Sequence, residues 1–371
     1  MMNIVLAGGG TAGHVNPLLS TAAALKTAGA NVWAVGTESG LETDLVPAAG
    51  FPLELIPRVP FPRRPNLKAL RFPREFNNAI ARGKEILRAT QAEVCVGFGG
   101  YVSTPMYLAA RSCDIPVVVH EGNALPGLAN RWGARFADAV ALTFPSTPLV
   151  ARRGETVVTG LPLRQQITEL SAAGRGTNRM QIAQEYGLDP ERKILLVTGG
   201  SSGAQRINET IAAAGQVLTA AGIQILHITG RGKDAPVRSV AGELPGYVIL
   251  DYLTQMDRAY AIADLVVTRA GAGMVAELST LGIPAVFVPL PVGNGEQARN
   301  AKDVVAAGGA VLVDNADFTA EYVAQQLLPL FAAEQLAQMS EKAQQVFPPH
   351  AAQSLADLIL RIGDSPAGEA G

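Results

Sequence analysis

The fold class of this chain is set by residues 3–14, NIVLAGGGTAGH. An apolar run with the character of a buried strand leads directly into a glycine-rich loop, and an Ala-rich stretch with helical periodicity follows. A strand, a glycine loop and a helix in this order are typical of the first unit of a doubly wound α/β sheet. We therefore expect strands and helices to alternate on either side of this stretch.

Strand and helix patterns do alternate along the chain, in two successive sets. Short β-branched runs separated by amphipathic helices predict parallel strands joined by right-handed crossovers. The first set has predicted strands at 3–7, 31–35, 94–97, 116–119, 139–142 and 156–158, and helices at 15–28, 79–90, 104–112 and 125–135. The second has strands at 193–197, 223–228, 247–250, 265–267, 285–288 and 310–313, and helices at 204–221, 255–262, 274–281, 296–307, 319–331, 334–346 and 351–361.

The two sets predict an α/β protein with two Rossmann-like domains whose parallel sheets face one cleft. We expect one domain over residues 1–162 and a second over 163–347. A C-terminal helix that packs back on the first domain and a frayed tail occupy 348–371. A length of 371 residues suits two domains of about 150 to 200 residues each. Ligands in such folds bind beyond the carboxyl ends of the strands, so the loops there are the candidate site.

Composition and charge exclude several classes of protein. The chain has 30 Lys and Arg against 32 Asp and Glu, a net charge of −2, so no basic excess is present to bind nucleic acid. Two cysteines, Cys95 and Cys113, do not form a disulfide framework and suit a reducing compartment. Neither a secretory signal nor an apolar run long enough to span a membrane is expected.

Residues 8–14, GGGTAGH, form the first candidate loop. Its glycines let backbone amides approach an anion at a helix N-terminus, where the helix dipole favours negative charge. Gly8, Gly10 and Gly13 also fit the spacing of a dinucleotide-binding loop, but the acidic residue that should end the second strand is missing there. His14 has no role in a dinucleotide loop. It is a candidate for chemistry, with helix capping as the alternative.

Three more loops follow predicted strands. Residues 97–101, GFGGY, and 199–204, GGSSGA, are glycine-rich, and the second is another candidate for binding phosphate; an ordinary tight turn is the alternative for each. Residues 120–123, HEGN, place polar side chains at the end of a strand, where burial is costly unless they serve a site. His120 and Glu121 are adjacent, which does not fit the spacing of zinc ligands.

Two loops of the second set are candidates for binding a nucleotide sugar. Residues 268–277, TRAGAGMVAE, lead from a strand into a helix, and the Glu277 carboxylate can accept the hydroxyls of a ribose while the helix start meets phosphate. The alternative for Glu277 is a partner of the helix dipole. Residues 289–297, PLPVGNGEQ, could bind sugar hydroxyls through their polar side chains or form a solvated loop.

Other polar residues are expected to be structural. The sequence has no Asp-X-Asp triplet for a metal-bound nucleotide sugar, and the nearest spacing, which begins at Glu42, is expected on a solvated helix. His227 lies inside an apolar strand and is expected to be a hydrogen-bonded core residue. His350 follows two prolines and is expected to cap a helix.

In combination, these loops resemble those of the MurG family, the peptidoglycan N-acetylglucosaminyltransferases of the GT-B fold. The motifs GGTAGHV, GFGGY, HEGN, GGSSGA and RAGAGMVAE carry the resemblance, which extends from Gly8 to about Arg361. It implies transfer of N-acetylglucosamine from UDP-N-acetylglucosamine to lipid I, undecaprenyl-pyrophosphoryl-N-acetylmuramyl-pentapeptide, to give lipid II. It also implies that the N-terminal domain receives the acceptor, that the C-terminal domain holds the UDP-sugar, and that no cofactor or metal is needed.

The resemblance also implies which residues contact UDP-N-acetylglucosamine. Residues of the first loop meet the sugar and its diphosphate, the second glycine loop and an arginine hold the diphosphate, and the helix start near Glu277 binds the nucleotide. The implied contacts are Thr11, Ala12, Gly13, Asn123, Arg164, Ser201, Leu253, Ala272, Gly273, Met274, Val275, Ala276, Glu277 and Gln297. The chain departs from the family pattern at Gly122, Leu161 and Ser202, where better-known members have Gln, Asn and Gln.

An inverting transfer is implied, because the donor is α-linked and the product β-linked in this family. Such a step needs a base for the acceptor hydroxyl and stabilisation of the leaving diphosphate. His14 and Glu121 are both candidates for the base. Within enzymes, the alternatives are a nucleotide-sugar 2-epimerase or a glycolipid glycosyltransferase; an NAD(P)-dependent oxidoreductase or a non-catalytic sugar-binding protein would belong to other classes.

Residues 58–74 are a candidate membrane-docking segment, with six basic residues, no acidic ones and interspersed apolar side chains. The lipid tail of the acceptor stays in the bilayer, so we expect peripheral binding to the anionic cytoplasmic side of the cell membrane. A solvated loop is the alternative. Cell-wall synthesis and division proteins are further expected partners. The predicted docking residues are Phe61, Arg63, Arg64, Lys68, Arg71 and Phe72.

Overall fold

The computed structural model of the protein describes residues 1–62, 67–200, 203–348 and 350–365, and of residues 67–70 only the backbone. The chain divides into two compact units. The first consists of Met1–Arg164 together with the C-terminal segment from Pro348, and the second is Gln165–Phe347. Each unit is built on one parallel sheet, which confirms the expected pair of Rossmann-like α/β halves.

The first unit has a seven-stranded sheet in the order β3-β2-β1-β4-β5-β6-β7. Its central strands are almost wholly apolar and are buried, as parallel strands covered on both faces must be. The strands are β1 (Asn3–Ala7), β2 (Asn31–Gly36), β3 (Leu53–Leu55), β4 (Val94–Gly97), β5 (Val117–Glu121), β6 (Ala139–Leu142) and β7 (Glu155–Val158), and the helices are α1 (Ala12–Thr27), α2 (Glu42–Ala48), α3 (Leu67–Ala89), α4 (Ser103–Arg111) and α5 (Leu128–Gly133).

The second unit has a six-stranded sheet in the order β10-β9-β8-β11-β12-β13. Its strands are β8 (Ile194–Thr198), β9 (Gln224–Ile228), β10 (Tyr247–Leu250), β11 (Leu265–Thr268), β12 (Ala285–Phe287) and β13 (Ala310–Leu312). Its helices are α6 (Gln165–Ala173), α7 (Arg179–Glu185), α8 (Gln205–Ala220), α9 (Asp234–Ala241), α10 (Met256–Ile262), α11 (Ala272–Thr280), α12 (Glu296–Asn300), α13 (Lys302–Ala307), α14 (Ala320–Tyr322) and α15 (Ala333–Gln344). A π-helical turn, Val323–Leu327, and a 3₁₀ turn, Leu328–Phe331, link the last two.

The last helix, α16 (Ala351–Asp364), belongs to the first unit and packs on α1 and β4. Its buried face adds Leu355, Leu358 and Ile359 to the cluster that contains Ile4 and Leu6.

In both sheets the strand order reverses beside the first strand of the unit. The reversal lies between β1 and β4 in the first unit and between β8 and β11 in the second. Doubly wound folds bind ligands at this point, beyond the carboxyl ends of the strands. Four of the candidate loops follow these four strands, so the topology places them where the fold normally carries a site.

The predicted helix bounds differ from the structure most in two regions. Helix α3 begins at Leu67, not at 79, and it contains Pro73. The predicted helix 296–307 is two helices, α12 and α13. Strand β3 and helices α6, α7 and α9 have no counterpart among the predicted elements.

Candidate functional site

His14 lies in the first turn of α1, against the third candidate loop. Its Nδ1 is 3.0 Å from the Gly9 carbonyl oxygen and 3.3 Å from the Thr11 hydroxyl. A Cβ at Gly99 would lie 2.9 Å from His14 Nε2, and one at Gly100 would lie 3.4 Å from Nδ1. Both glycines also have positive φ, so the loop after β4 provides the space that the imidazole occupies.

Glu42 lies beneath the first loop, and the expectation of a solvated helix was wrong for it. The side chain is fully buried at the start of α2. Its Oε2 accepts a hydrogen bond from Gly10 N (2.8 Å), and its Oε1 accepts from the amide (2.9 Å) and hydroxyl (3.0 Å) of Thr37. Burial by itself raises the pKa of Glu42, but these hydrogen bonds outweigh it and hold the pKa below its usual value. Glu42 is therefore a buried carboxylate.

His120 is the penultimate residue of β5, and its side chain is buried. It is 1% exposed, and its Nε2 lies 3.4 Å from the Gly160 carbonyl oxygen. Burial lowers the pKa of His120 to about 4, so the ring is neutral at physiological pH. Its ring centroid lies 5.3 Å from that of Phe98 in the loop after β4. His120 thus packs two loops together.

Glu121 is 3% exposed and holds the loop that follows it. Its carboxylate accepts hydrogen bonds from the amides of Asn123 and Gly127, both at 2.9 Å, and from Nδ2 of Asn130 at 3.0 Å. Burial raises the pKa of Glu121 even though these hydrogen bonds act in the opposite direction. The Asn130 carboxamide oxygen in turn accepts from the buried Tyr107 hydroxyl at 2.8 Å. The fourth loop therefore rests on a buried polar network.

The first and fourth loops of the first unit meet at Gly122. A Cβ at this position would lie 4.0 Å from the Gly13 carbonyl oxygen and 3.8 Å from Leu161 Cδ1. Gly122 and Leu161 are thus neighbours. Asn123 is half-buried beside them, and Arg164 is the half-buried last residue before the second unit.

The glycine loop of the second unit is packed against the end of β9. A Cβ at Gly203 would lie 2.2 Å from the Thr229 carbonyl oxygen, and Gly203 has φ +67°. The Gly203 amide donates to the Gly200 carbonyl oxygen at 2.9 Å. Helix α8 begins at Gln205. Ser201, predicted to hold diphosphate, and Ser202 lie outside the described residues.

A buried hydrogen-bond chain supports this loop from below. His227 Nδ1 is 2.8 Å from the Tyr247 hydroxyl, and its Nε2 is 3.1 Å from Asn208 Oδ1. Asn208 Nδ2 donates to the Thr229 carbonyl oxygen at 2.9 Å. Burial lowers the pKa of His227 to about 3. The prediction of a hydrogen-bonded core histidine is confirmed.

Glu277 lies in α11, in the segment that begins at Ala272 directly beyond β11. It is half-buried, and its Oε2 accepts a hydrogen bond of 2.9 Å from the Tyr260 hydroxyl. Tyr260 also contacts Met274 Sδ at 3.2 Å and is fully buried. Gly271 is the N-cap, where no side chain covers the first amides of the helix. The Glu277 carboxylate is therefore held beside a helix start.

The loop after β12 is attached to the β11 loop by Arg269. Its Nη1 donates to the carbonyl oxygens of Val288 (2.9 Å) and Pro289 (2.8 Å). Farther along the loop, Gln297 Oε1 accepts from Leu290 N at 2.9 Å, which fixes the orientation of the Gln297 carboxamide. Leu253, the remaining predicted contact, is half-buried after β10.

Three supporting residues were missed by sequence analysis: Glu42, Asn130 and Tyr260. Each is a polar side chain on a helix, and the loop or loop residue that it holds belongs to another element. Only the glycines around Glu42, at 36 and 40, gave a signal, since close packing of backbone against a side chain requires them.

The predicted docking segment contributes Phe61 and Phe72 to an aromatic cluster that Phe76, just beyond the segment, completes. Their ring centroids lie 4.9 to 5.9 Å apart, and Phe61 is 56% exposed. Arg58, at the start of the segment, lies over the ring of Tyr101 at 5.2 Å, and Tyr101 belongs to the loop that borders His14. Arg71 is exposed on α3. Arg63, Arg64 and the side chain of Lys68 lie outside what the structure describes.

Residues with described side chains include no cluster of three or more His, Cys, Asp or Glu that could hold a metal ion. No helix in the described part of the chain is both long enough and apolar enough to cross a bilayer.

Comparisons with known proteins cover both units. The glycosyltransferase family 28 N-terminal domain matches residues 4–142, and the family 28 C-terminal domain matches residues 194–355. A UDP-N-acetylglucosamine–N-acetylmuramyl-(pentapeptide) pyrophosphoryl-undecaprenol N-acetylglucosamine transferase of Nocardioides sp. is 49% identical over 98% of each chain. The crystal structure of Acinetobacter baumannii MurG matches with a TM-score of 0.80 and 30% identity, over 97% of this chain and 100% of that one. A UDP-N-acetylglucosamine 2-epimerase has a TM-score of 0.67 at 15% identity, over 98% of this chain and 97% of that one, and shares the fold alone.

Proposed function

The chain belongs to glycosyltransferase family 28 and within it to the MurG family, and from this premise we infer that it transfers N-acetylglucosamine from UDP-N-acetylglucosamine to lipid I, forming lipid II for peptidoglycan. The observation that carries the inference is the 49% identity over 98% of both chains, which leaves neither unit without a counterpart. The expected GT-B fold is confirmed by the match to the Acinetobacter enzyme over both units.

The test is a product assay with UDP-N-acetylglucosamine and a soluble lipid I analogue. We expect one UDP and one β-linked disaccharide product per turnover. Release of N-acetylmannosamine without acceptor would instead indicate a 2-epimerase. Thermal unfolding with UDP and with NAD distinguishes a transferase from an oxidoreductase, because a ligand that binds only the folded state raises the melting temperature. We expect UDP, and not NAD, to raise it.

The second unit is proposed to bind the donor. Glu277, held beside the start of α11 by Tyr260, accepts hydrogen bonds from the ribose hydroxyls. The first amides of α11, over Ala272, Gly273, Met274, Val275 and Ala276, contact the nucleotide. The backbone of Leu253 lies against the uracil, and the fixed carboxamide of Gln297 contacts the sugar.

The diphosphate of the donor is proposed to rest on the loop after β8. The packing of Gly203 against Thr229 presents the start of α8 to an anion. Ser201 supplies a hydroxyl there, and Arg164 supplies a planar charge that can pair with two phosphate oxygens. As the bond to the sugar breaks, charge grows on the leaving UDP, and these groups stabilise it.

The first unit is proposed to bind the acceptor and to supply the base. The C4 hydroxyl oxygen of N-acetylmuramic acid attacks C1 of the donor sugar, the C1–O bond to UDP breaks, and the hydroxyl proton passes to His14. Of the two candidate bases, Glu121 already accepts three hydrogen bonds from its own loop and is 3% exposed. We assign proton transfer to His14 and the placement of the loop to Glu121.

The remaining contacts of the first unit are proposed from its loop geometry. Asn123 belongs to the loop that Glu121 holds, and its position beside Gly122 brings it near the first loop. There, Thr11, Ala12 and Gly13 form the beginning of α1 and are exposed. These residues are proposed to contact the N-acetylglucosamine and phosphate oxygens during transfer.

Membrane docking is proposed through residues 58–74. The exposed Phe61 ring, backed by Phe72 and Phe76, offers an apolar group to the lipid interface, and the basic residues favour anionic lipid by about 1 kcal/mol each. The contact of Arg58 with Tyr101 joins this segment to the loop that borders His14, where a lipid-linked acceptor is needed. The enzyme would then act at the cytoplasmic face of the membrane, beside other cell-wall synthesis and division proteins.

A further inference from the structure

The peptide group between Gly9 and Gly10 has a hydrogen-bond partner on each side. Its N–H, on Gly10, donates to the Glu42 carboxylate at 2.8 Å. Its C=O, on Gly9, lies 3.0 Å from His14 Nδ1. In a trans peptide the N–H and C=O point in opposite directions, so Glu42 and His14 lie at opposite ends of one rigid, polarisable unit.

The position of Glu42 is determined by the backbone around it. A Cβ at Gly9 would lie 2.3 Å from Glu42 Oε1, one at Gly36 2.3 Å from its Cγ, and one at Gly40 1.9 Å from its Oε2. Each of these residues must be glycine for the carboxylate to occupy its place. The hydrogen bonds from Thr37 fix the second oxygen. A buried carboxylate enclosed in this way has one geometry.

The contact with the Gly9 carbonyl determines which nitrogen of the neutral His14 ring carries the proton. A carbonyl oxygen can only accept a hydrogen bond, so the contact with Gly9 requires the proton to be on Nδ1. The Thr11 hydroxyl, at 3.3 Å, can accept from the same N–H. In the neutral ring Nε2 then carries the lone pair and is the atom that can take a proton.

We propose that Glu42 is a positioning residue that acts on His14 through the Gly9–Gly10 peptide, forming a carboxylate–peptide–histidine relay. The negative carboxylate polarises the peptide, which strengthens the carbonyl as an acceptor and holds His14 in the Nδ1–H form. The relay also stabilises the imidazolium after proton transfer. The proposal rests on the assignment of His14 as the base and adds the group that orients it.

The spectroscopic test reads the tautomer directly. The chain has only four histidines, so ¹⁵N spectra of histidine-labelled protein can be assigned with His14→Ala. We expect the neutral His14 ring of the native protein to carry its proton on Nδ1. In Glu42→Gln, a single carboxamide oxygen replaces the two carboxylate oxygens that accept hydrogen bonds, and the carboxamide NH₂ must face an N–H donor. The Gly9–Gly10 peptide is then less polarised, so the His14 ring should become a mixture of tautomers. A native ring protonated on Nε2 would overturn the proposal, whether or not the variant folds.

The kinetic test separates positioning from general structural support. Glu42→Gln should lower kcat about 10- to 100-fold, as loss of an outer hydrogen-bond partner does in other sites, with the KM for UDP-N-acetylglucosamine within about twofold. Asp44→Asn removes a charge from the same turn of α2 at an exposed position and should leave kcat unchanged. In a His14→Ala background, Glu42→Gln should have no further effect on kcat.

An equal fall of kcat in both backgrounds would show that Glu42 acts independently of His14 and would overturn the relay. A different result would count against the proposed function instead. A near-normal kcat in His14→Ala would show that His14 is not the base. The tautomer of the native ring still decides the relay in that case, so the two failures are distinguishable.

Discussion

At the residue scale, buried polar side chains beneath the loops fix the residues that are proposed to meet substrate. Glu42 lies under the first glycine loop, Asn130 under the fourth, and His227 under the loop of the second unit. Each has its hydrogen bonds satisfied by backbone or by another side chain, which makes its burial tolerable and its geometry unique. The loops above these side chains can therefore be short and glycine-rich and still keep a defined conformation.

Glu277 should matter for donor binding and not for folding. Glu277→Ala removes the carboxylate proposed to accept the ribose hydroxyls, so we expect a large rise in the donor KM and a matching loss of UDP affinity by calorimetry. Tyr260→Phe removes only the hydroxyl that orients the carboxylate and should give a smaller rise. Unchanged UDP affinity in Glu277→Ala would show that the ribose is bound elsewhere.

His227 should make the second unit sensitive to acid. Its pKa is about 3 in the folded state and about 6.5 when unfolded, so the unfolded chain binds more protons between these values. The free energy of unfolding is therefore highest above pH 6.5 and falls as pH decreases, by up to about 1.4 kcal/mol per pH unit from this residue.

Urea unfolding of the native protein and of His227→Gln, at several pH values and followed by hydrogen exchange in β8 and β9, measures this dependence. The variant should be less stable at pH 8 because it loses the contacts with Asn208 and Tyr247, and its deficit should shrink toward pH 5. The same substitution at the exposed His350 is the control. A constant deficit across this range would contradict the assignment.

At the element scale, the two reversals of strand order explain why glycine-rich segments follow β1, β4 and β8. A helix that starts directly beyond a strand leaves no room for side chains in the connection, and the close approaches at Gly99 and Gly203 are of this kind. The third loop, whose role the sequence left open, provides space for His14. Its glycines are therefore explained by packing against a candidate base.

Gly203→Ala should weaken UDP binding through the loop after β8. The new Cβ would meet the Thr229 carbonyl oxygen at 2.2 Å, so the loop must shift. Gly222→Ala is the matched control, since Gly222 also has positive φ but a Cβ there meets nothing within 4 Å. Both substitutions cost stability through backbone strain, and only Gly203→Ala should lower UDP affinity. Equal affinities in calorimetric titration would remove this loop from the donor site.

The docking segment should bind anionic vesicles in a salt-dependent manner. Changing Arg63, Arg64, Lys68 and Arg71 to Glu should abolish co-sedimentation because it reverses the charge that anionic lipid attracts. Phe61→Ser should weaken binding while leaving its salt dependence in place, since it removes an exposed ring and no charge. UDP affinity should be normal in both variants. Binding that responds to neither change would place the docking surface elsewhere.

At the scale of the whole molecule, the chain passes between the two units twice, after Arg164 and after Phe347. The first unit is consequently incomplete until α16 has been added from the C-terminal end. Its core contains residues of β1 and of α16 in one cluster, although they are more than 340 positions apart. The core of the first unit is therefore complete only when α16 is in place, while the second unit is continuous in sequence.

Leu355→Ala should destabilise the first unit selectively. The side chain is fully buried among residues of β1 and α1, and such a truncation costs about 2 to 5 kcal/mol. We expect earlier melting of the first unit, followed by the fluorescence of Trp33 and Trp132, both of which belong to this unit. Gln353→Ala on the exposed side of α16 is the control. An unchanged melting temperature of the first unit in Leu355→Ala would contradict the contribution of α16 to its core.

The sequence by itself determined the strands other than β3, the two parallel sheets and the positions of the candidate loops. Strand bounds such as those of β1, β4, β6 and β10 follow from unbroken apolar runs, and glycine loops follow from the tight connections that doubly wound sheets require. His227 was also predictable, because a polar residue within an apolar strand must be buried and hydrogen-bonded.

Only the tertiary structure decided which side chains support those loops. It also decided that the glycines of the third loop make room for His14. Glu42 is separated from Gly10 by more than thirty positions, and its surroundings on α2 carry no pattern that distinguishes a buried carboxylate from a solvated one. The roles of Gly99 and Gly100 likewise depend on where His14 lies in space. Local pattern reports which face of an element is buried, whereas hydrogen bonds between distant elements exist only once the sheet has brought them together.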